Sequence, residues 1–471
     1  MREIISVHVG QCGNSIGYKF WEVIVSEHGI NSTGSHCGEN ICQLKGINVY
    51  FREIDIVDIG IHNYGVNVDV RFVPRVVLVD LESGVFDAIK EKEFGRLFEP
   101  DSFVAGSQGA GKNWAKGYYS EGLELSSKVL ERIRKEAEDC DCLQGFQIVH
   151  SIGGGTGSGL GSLMVERIRD MYPDPIISTH TIIPSLKVSD VVVEPYNAVL
   201  STSSLVEYCD TCFMIDNEAL YNIGMYSLKK KQPVYGELNH IVANTMSGIT
   251  AAFRFPGQLN GDLRKLAVNL VPFPRLHFLV PSFAPLTCTT NVNDLIMQIF
   301  DYKNMMADVD PRRGKFFAVG AIFRGKVSAK QVEQQIIQLR YKNGSYFTDW
   351  IPDGIKTTVC DVSPIGFQKS ATGIMNTSAI QEIFKRIIMQ FSKMLERKAF
   401  LHWYQGEGVD QEDFNISEFN ANNLCDEYHI YEEADIESDE ENPSANATVT
   451  TAANVTAPVQ QHRTQSLFVR Q

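Results

Sequence analysis

Apolar positions along the chain fall into short runs separated by stretches with helical spacing. Ile4–Val9 reads as a strand entering the glycine turn Gly10-Gln11-Cys12-Gly13-Asn14, after which Phe20, Trp21, Ile24 and Val25 recur at helical intervals. Val76–Asp80 has the composition of a short buried strand, and Leu123, Leu130 and Ile133 mark a helix. Phe146–Ile152 predicts another strand, Leu160–Ile168 a helix and Ile176–Ile183 a strand. Strands alternating with helices imply a parallel sheet covered on both faces. Further on, Ile383, Phe384, Ile387, Ile388, Phe391, Met394 and Leu395 place a long amphipathic helix over Ile380–Phe400. Ile54, Ile56, Ile59 and Ile61, the segment His62-Asn63-Tyr64-Gly65, and the alternating Val66, Val68 and Val70 predict a β-hairpin.

The chain has 471 residues, of which 44% are hydrophobic and 21% charged, a composition that suits two or three globular domains with sizeable cores. No run approaches the roughly 20 apolar residues of a membrane span, and the start shows no secretory pattern. Ten cysteines spread over this length point to free thiols in a reducing compartment, so the cytosol is the expected location. The net charge of −14 argues against a nucleic-acid binder. Acids concentrate in Glu432, Glu433, Asp435, Glu437, Asp439, Glu440 and Glu441; beyond Asn442 the only charged side chains are Arg463 and Arg470. That last stretch has no regular period and few large apolar groups, so a disordered tail is expected over residues 435–471.

The strongest chemical signal is Gly153-Gly154-Gly155-Thr156-Gly157-Ser158-Gly159, placed between a strand and a helix. Glycines let backbone N–H groups approach phosphate oxygens, and a helix N-terminus adds partial positive charge. A second segment, Gly106-Ser107-Gln108-Gly109-Ala110-Gly111-Lys112-Asn113, has the P-loop spacing of glycine and lysine. However, Asn113 stands where Ser or Thr would hold magnesium, and Glu99-Pro100-Asp101 makes a poor strand before it. It reads better as a second glycine loop beside the same phosphates. Cys209-Asp210-Thr211-Cys212 and Cys140-Asp141-Cys142 lack a second pair at zinc-site distance, and His8, His150, His240 and His277 read as core residues.

Longer motifs carry a resemblance. MREI (1–4), GQCGN (10–14), VDLE (79–82), GGGTGSG (153–159), VVEPYNA (192–198), IDNEAL (215–220), RFPGQLN (254–260), DLRKLAVN (262–269) and RKAFLHWYQGEG (397–408) resemble the tubulin family, and its β branch in particular, from Met1 to about Ala434. The resemblance implies an α/β, tubulin-like fold. A parallel-sheet GTP-binding domain would occupy residues 1–216, an α+β intermediate domain with the core helix 217–385, and a C-terminal helical hairpin 386–434. It implies GTP or GDP with Mg2+ as cofactors, an obligate heterodimer with α-tubulin, contacts to neighbouring tubulin dimers, and a place in cytoplasmic microtubules. Motors and microtubule-associated proteins are expected on the acidic segment, with neither nucleic acid nor membrane as partner.

Roles carry over at matching positions. Gln11 and Cys12 belong to the first phosphate loop; Asp80 and Glu82 lie near the magnesium and γ-phosphate, where a hard cation wants oxygen ligands. Ser151, Gly153, Gly154, Gly155, Thr156 and Gly157 hold phosphates, and Val188, Asp190 and Glu194 fall in the ribose loop. Asn217 and Asn239 read the guanine edge, and Tyr235 stacks on the base. The resemblance splits hydrolysis between subunits: Asn260, Asp262 and Lys265 cap the nucleotide of a partner. Lys265 stands where an α-subunit carries the water-activating glutamate, so catalysis on this chain's own nucleotide is expected in trans.

Three departures stand out. Lys112 replaces the asparagine usual in the β branch, either as a γ-phosphate contact or as a solvent-facing lysine. Ile54–Arg71 is an insertion, either an extra lateral contact or a tolerated loop. Pro285-Leu286-Thr287-Cys288-Thr289-Thr290-Asn291 is shorter than the family's lateral loop and lacks its basic and aromatic residues. A polymer subunit, a tubulin-fold protein that captures GTP and α-tubulin with weakened lateral contacts, and a stand-alone P-loop enzyme built on Gly106–Lys112 are the three readings open at this point.

Overall fold

The computed structural model describes residues 2–38, 41–58, 67–185, 191–230, 232–257, 261–286, 291–342, 344–351 and 354–434. Its twelve strands are β1 (Glu3–Val9), β2 (Phe51–Asp58), β3 (Asn67–Pro74), β4 (Val76–Asp80), β5 (Phe103–Ala105), β6 (Leu143–Ser151), β7 (Ile176–Ile183), β8 (Thr211–Asp216), β9 (Phe278–Ala284), β10 (Phe316–Gly325), β11 (Ile355–Cys360) and β12 (Lys369–Thr377). Ten of them form one sheet in the order β11-β10-β12-β9-β8-β7-β6-β1-β4-β5. From β5 to β9 neighbouring strands run parallel, whereas β12 is antiparallel to both β9 and β10. The two halves meet at β8 and β9, which share only the pairs Cys212↔Phe278 and Phe213↔Leu279.

The strands of the parallel half are buried along nearly their whole length because helices cover both faces, and polar residues such as Ser178, Thr179, His180 and Thr181 of β7 are buried with them. In chain order the helices are α1 (Gly10–Glu27), α2 (Gly84–Lys90), α3 (Glu121–Glu138), α4 (Gly161–Met171), α5 (Glu194–Tyr208), α6 (Asn217–Asn222), α7 (Tyr235–Arg254), α8 (Leu263–Leu270), α9 (Val292–Ile299), α10 (Ala329–Lys342), α11 (Gln381–Glu396), α12 (Leu401–Gln405) and α13 (Gln411–Glu433). One core holds Trp21 and Ile24 of α1 with Val242 and Met246 of α7. A second joins Val129 of α3, Leu163 of α4 and Leu205 of α5 to Phe384, Phe391, Phe414 and Tyr428 of the C-terminal helices, and a smaller third holds Phe213, Ile249, Leu270 and Ile374.

A buried charge cluster ties α1, α7 and β10 together. Glu27 Oε2 accepts from Arg254 Nη1 at 2.7 Å and its Oε1 from Arg324 Nη1 at 2.8 Å, with all three side chains at most 1% exposed. Ser247 Oγ donates to the same carboxylate at 2.8 Å. Burial by itself would raise the Glu27 carboxyl, but the two guanidinium groups hold it at about 2.

The expected strands at the N-terminal half are present, and β2 and β3 pair antiparallel from Phe51↔Pro74 to Asp58↔Asn67, as a hairpin requires. The loop of that hairpin, residues 59–66, lies outside the described residues, as does the expected tail from 435 onward. Three expectations need correction. The long C-terminal helix stops at Glu396, because Lys398 (φ +52°) and Phe400 (φ +59°) take left-handed backbone that an α-helix cannot continue through. A strand does precede Gly106: β5 pairs with β4 at the sheet edge, starting two residues after Asp101. His240 is exposed, whereas His8, His150 and His277 are buried as expected.

Candidate nucleotide site

Strand order reverses around β1, with β4 on one side and β6 on the other, and such a switch point opens a crevice at the C-terminal ends of the strands. Three glycine-bearing loops fill that crevice. Gly10 (φ +75°) turns the chain from β1 into α1, and a Cβ there would lie 3.0 Å from the Gly157 nitrogen. At Gly10 the first glycine loop therefore lies directly against the backbone of the second. Gly155 in turn packs on the third loop: an added Cβ would meet the Asn113 nitrogen at 2.7 Å and the Lys112 carbonyl carbon at 3.0 Å. Gly154 stays open, with only Ser151 Oγ nearby at 3.8 Å.

Neither α1 nor the π-helical turn Thr156–Leu160 that leads into α4 has a side-chain N-cap or an acid in its first turn. The leading N–H groups of both lack helical partners, and the aligned dipoles favour an anion. Two uncapped helix starts converging on one crevice make a phosphate cradle. The walls are braced from behind. Asn14 Nδ2 donates to the Gly10 and Val79 carbonyls at 3.0 and 2.9 Å, and His150 Nδ1 lies 2.9 Å from the Gly157 carbonyl. Burial lowers the His150 imidazole to about 4, so it is neutral and holds the loop as a hydrogen-bond donor. Cys12 sits beside Ser151, and burial pushes its thiol up to about 12, leaving it uncharged next to the anion site.

Asp80 ends β4 beneath the same crevice. Its Oδ1 accepts from the Glu82 N–H at 3.4 Å, while its buried Oδ2 has no protein partner. Burial raises its carboxyl to about 6. A buried carboxylate oxygen aimed at a phosphate cradle fits a divalent cation. Glu82 is exposed and borders Gly109, whose added Cβ would meet Glu82 Oε1 at 2.0 Å. Among the described residues no group of three or more His, Cys, Asp or Glu side chains forms a self-contained metal site.

The residues that the resemblance assigns to the base stand on two helices. Asp216 N-caps α6 by accepting from the Glu218 N–H at 2.8 Å and is anchored by Arg386 Nη2 at 2.8 Å, which sets Asn217 at the helix start. Asn217 and Tyr221 share one face of α6, and Tyr235 and Asn239 share one face of α7, each pair being four residues apart. The Tyr221 and Tyr235 rings meet edge to face at 6.3 Å. Tyr221 was not singled out from the sequence; its four-residue spacing from Asn217 is the signal that could have found it. Glu194 begins α5 close to Gly153, and Gln11 is exposed at the mouth of the first loop. Val188 and Asp190 lie outside the described residues.

The third loop does not behave as a Walker motif. Asn113 Oδ1 accepts from the Ala115 N–H at 2.9 Å and its Nδ2 donates to the Trp403 carbonyl at 3.0 Å, so the side chain is spent on a helix start and on α12. Lys112 has left-handed backbone (φ +62°) and is exposed.

The proposed cap residues lie at the other end of the sheet. Asp262 Oδ1 N-caps α8 through the Lys265 N–H at 2.6 Å, and its Oδ2 pairs with Arg2 Nη1 at 2.5 Å. Leu263 packs beside Gly145, at the N-terminal end of β6, six residues before Ser151. Six strand residues span about 20 Å, so α8 and Lys265 do not reach this chain's own phosphate loops. Lys265 is exposed on the outer face of α8, and Asn260 lies outside the described residues. No helix among the described residues is long and apolar enough to cross a membrane.

Residues 3–225 match the Tubulin/FtsZ family GTPase domain. Residues 274–389 match the tubulin C-terminal domain. The two matches together span more than two thirds of the chain and coincide with the parallel half of the sheet and with the half built on β9, β10, β11 and β12. The glycine loops at the switch point thus belong to a guanine-nucleotide-binding GTPase domain, and the chain belongs to the tubulin family.

Proposed function

We propose that this chain is a β-type tubulin subunit that binds GTP with Mg2+, forms a heterodimer with α-tubulin and polymerises head to tail into cytoplasmic microtubules. The observation that carries the reading is the separation of the two ends. The phosphate loops lie at the C-terminal ends of the parallel strands, and α8, with Lys265 exposed, lies at their N-terminal ends. A subunit arranged this way presents its nucleotide to the next subunit and its α8 to the one before, the heterologous geometry that generates filaments.

Within the site, backbone N–H groups of the α1 start and of Gly154–Gly157 hold the phosphates, Asn217 and Asn239 address the guanine, and Tyr235, braced edge to face by Tyr221, stacks on it. Mg2+, when bound, neutralises charge between phosphate oxygens; Asp80 supplies a buried ligand to it, with Glu82 at its outer side. The exposed Lys112 adds a cation beside the Gly155 backbone. Lys265 is a cation and no base, so the chain caps its partner's nucleotide without activating water there. The carboxylate that positions water on this chain's own GTP comes from the next α-subunit, which makes the isolated chain a weak GTPase. Acidic residues at the end of α13 and beyond offer a surface for motors and associated proteins.

A second reading is a tubulin-fold GTP-binding protein that pairs with α-tubulin but limits assembly. Its support is that β9 ends at Ala284 and α9 begins at Val292, leaving only residues 285–291 for the lateral loop, of which 287–290 lie outside the described residues. Co-expression with α-tubulin, followed by GTP-driven assembly with sedimentation and electron microscopy, separates the two. Microtubules containing the chain support the first reading. A soluble GTP-bound heterodimer, or single protofilaments only, supports the second, and a chain that binds neither GTP nor α-tubulin overturns both.

A further inference from the structure

The segment Val192–Ala198 contributes one residue that the nucleotide-binding roles leave unused. Asn197 lies in the first turn of α5 and is fully buried. Its Nδ2 donates to the Lys112 carbonyl and to the Gly153 carbonyl, both at 2.9 Å. Its Oδ1 accepts from the Trp114 N–H at 3.0 Å and from the Tyr404 hydroxyl at 2.7 Å. Both donors and both lone pairs of the amide are therefore engaged. The two Nδ2 bonds join the loop that carries Lys112 to the loop that carries Gly153–Gly157. Without them, the two loops are held to one another mainly by glycine contacts.

The Oδ1 side leads out of the site. Tyr404 belongs to α12, is 1% exposed, and packs edge to face with Tyr196 and Phe414 at 5.5 Å each. The Tyr196 hydroxyl donates to the Ala399 carbonyl at 2.9 Å, and Asn113 reaches the Trp403 carbonyl at 3.0 Å. Glu407 accepts from Ser120 on the same side. The α12 region is thus fastened to the helix start behind the third loop at several points, and Asn197 is where that fastening meets both glycine loops.

We propose that Asn197 is a positioning residue that sets the site's preference for a nucleoside triphosphate over a diphosphate, and that Tyr404 makes this setting depend on the C-terminal helices. The inference rests on the reading of the crevice as a GTP site. Two loops locked at a fixed spacing present the Lys112 segment and the Gly153–Gly157 segment to one polyphosphate at once. Loops free to part lose the end of the chain that only the triphosphate has.

The test measures GTP and GDP affinities separately, on the full-length chain co-purified with α-tubulin. The variants are Asn197→Asp, which turns both donors into an oxygen facing two carbonyls, and Tyr404→Phe, which removes one hydroxyl from a retained ring. The expected result is a tenfold or greater fall in the ratio of GTP to GDP affinity for Asn197→Asp and a smaller fall of the same sign for Tyr404→Phe. A role confined to folding weakens both nucleotides equally, and that result overturns the proposal, as does an unchanged ratio. Should Asn197→Asp fail to fold, Tyr404→Phe decides alone by the same criterion. An unaltered chain that binds no GTP refutes the GTP-site reading itself, an outcome distinct from failure of either variant.

Discussion

Replacing Glu27 by glutamine would leave Arg254 and Arg324 as two guanidinium groups, buried to 0% and 1% exposure, without their shared anion. Removing one partner of a buried ion pair costs about 3–5 kcal/mol. A second estimate comes from titration: a carboxyl held at about 2 against its ordinary value of 4.5 corresponds to roughly 3 kcal/mol at ~1.4 kcal/mol per unit. The two agree, so Glu27→Gln should lower unfolding stability by about 3 kcal/mol at neutral pH. The pH dependence has a definite sign. Because the folded carboxyl lies below its ordinary value, its contribution is present above pH 4.5 and is lost as pH falls from there towards 2. His28 nearby, held neutral by burial at about 3, also destabilises the fold on acidification in both proteins, slightly more in the variant because Glu27 raises the His28 imidazole. Urea unfolding at a series of pH values measures this. The stability gap between the two proteins should be largest near neutrality and should close below pH 4. A gap under 1 kcal/mol at pH 7, or one that stays constant into acid, would refute the reasoning.

The remaining predictions concern the site. Lys112→Asn should stabilise the chain by about 0.5–1 kcal/mol, because φ +62° is a left-handed conformation that asparagine tolerates better, and should weaken GTP binding if the lysine serves the phosphates; unfolding and nucleotide titration read the two effects separately. Magnesium-dependent GTP binding should weaken about tenfold from pH 7 to pH 5, since Asp80 titrates at about 6 and its protonated form cannot ligate a cation; Asp80→Asn should flatten this profile in isothermal titration. Gly10→Ala should cost about 1–2 kcal/mol of stability from its φ of +75° alone, and the new Cβ against Gly157 should lower GTP affinity further, which a fluorescent-nucleotide displacement assay would register.

The local elements were readable where burial is uniform. Val76–Asp80 coincides with β4, whose first four residues are continuously apolar, and Ile176–Ile183 with β7, where isoleucine pairs at both ends bracket the buried polar centre Ser178–Thr181. The Gly153–Gly157 loop was readable because strand, glycine run and helix follow in order. β5 was not, since three residues at a sheet edge carry too little pattern. The end of α11 was also invisible: Met394 and Leu395 keep the helical period up to the point where Lys398 and Phe400 turn the backbone. Long-range partners left no trace at all. Glu27, Arg254 and Arg324 are separated by more than two hundred residues at the widest, and nothing in their own segments marks them as one cluster. Asn197 lay inside a recognised motif, but its function depends on partners from three other segments: Lys112 and Trp114 from one, Gly153 from a second and Tyr404 from a third.

The phosphate cradle is lined by main chain, and this constrains how the protein can diverge. At Gly10, Gly155 and Gly157 an added Cβ would fall 3.0 Å or less from atoms of a neighbouring segment. Inheritable change at these points removes the site before it can retune it. Variation that keeps the cradle but alters nucleotide handling must therefore enter through side chains around it, such as Gln11, Asp80, Glu82, Lys112 and the buried Asn197. Change in nucleotide handling has, in this architecture, very few exposed side chains to act through, and Lys112, in a left-handed turn, is the least costly of them.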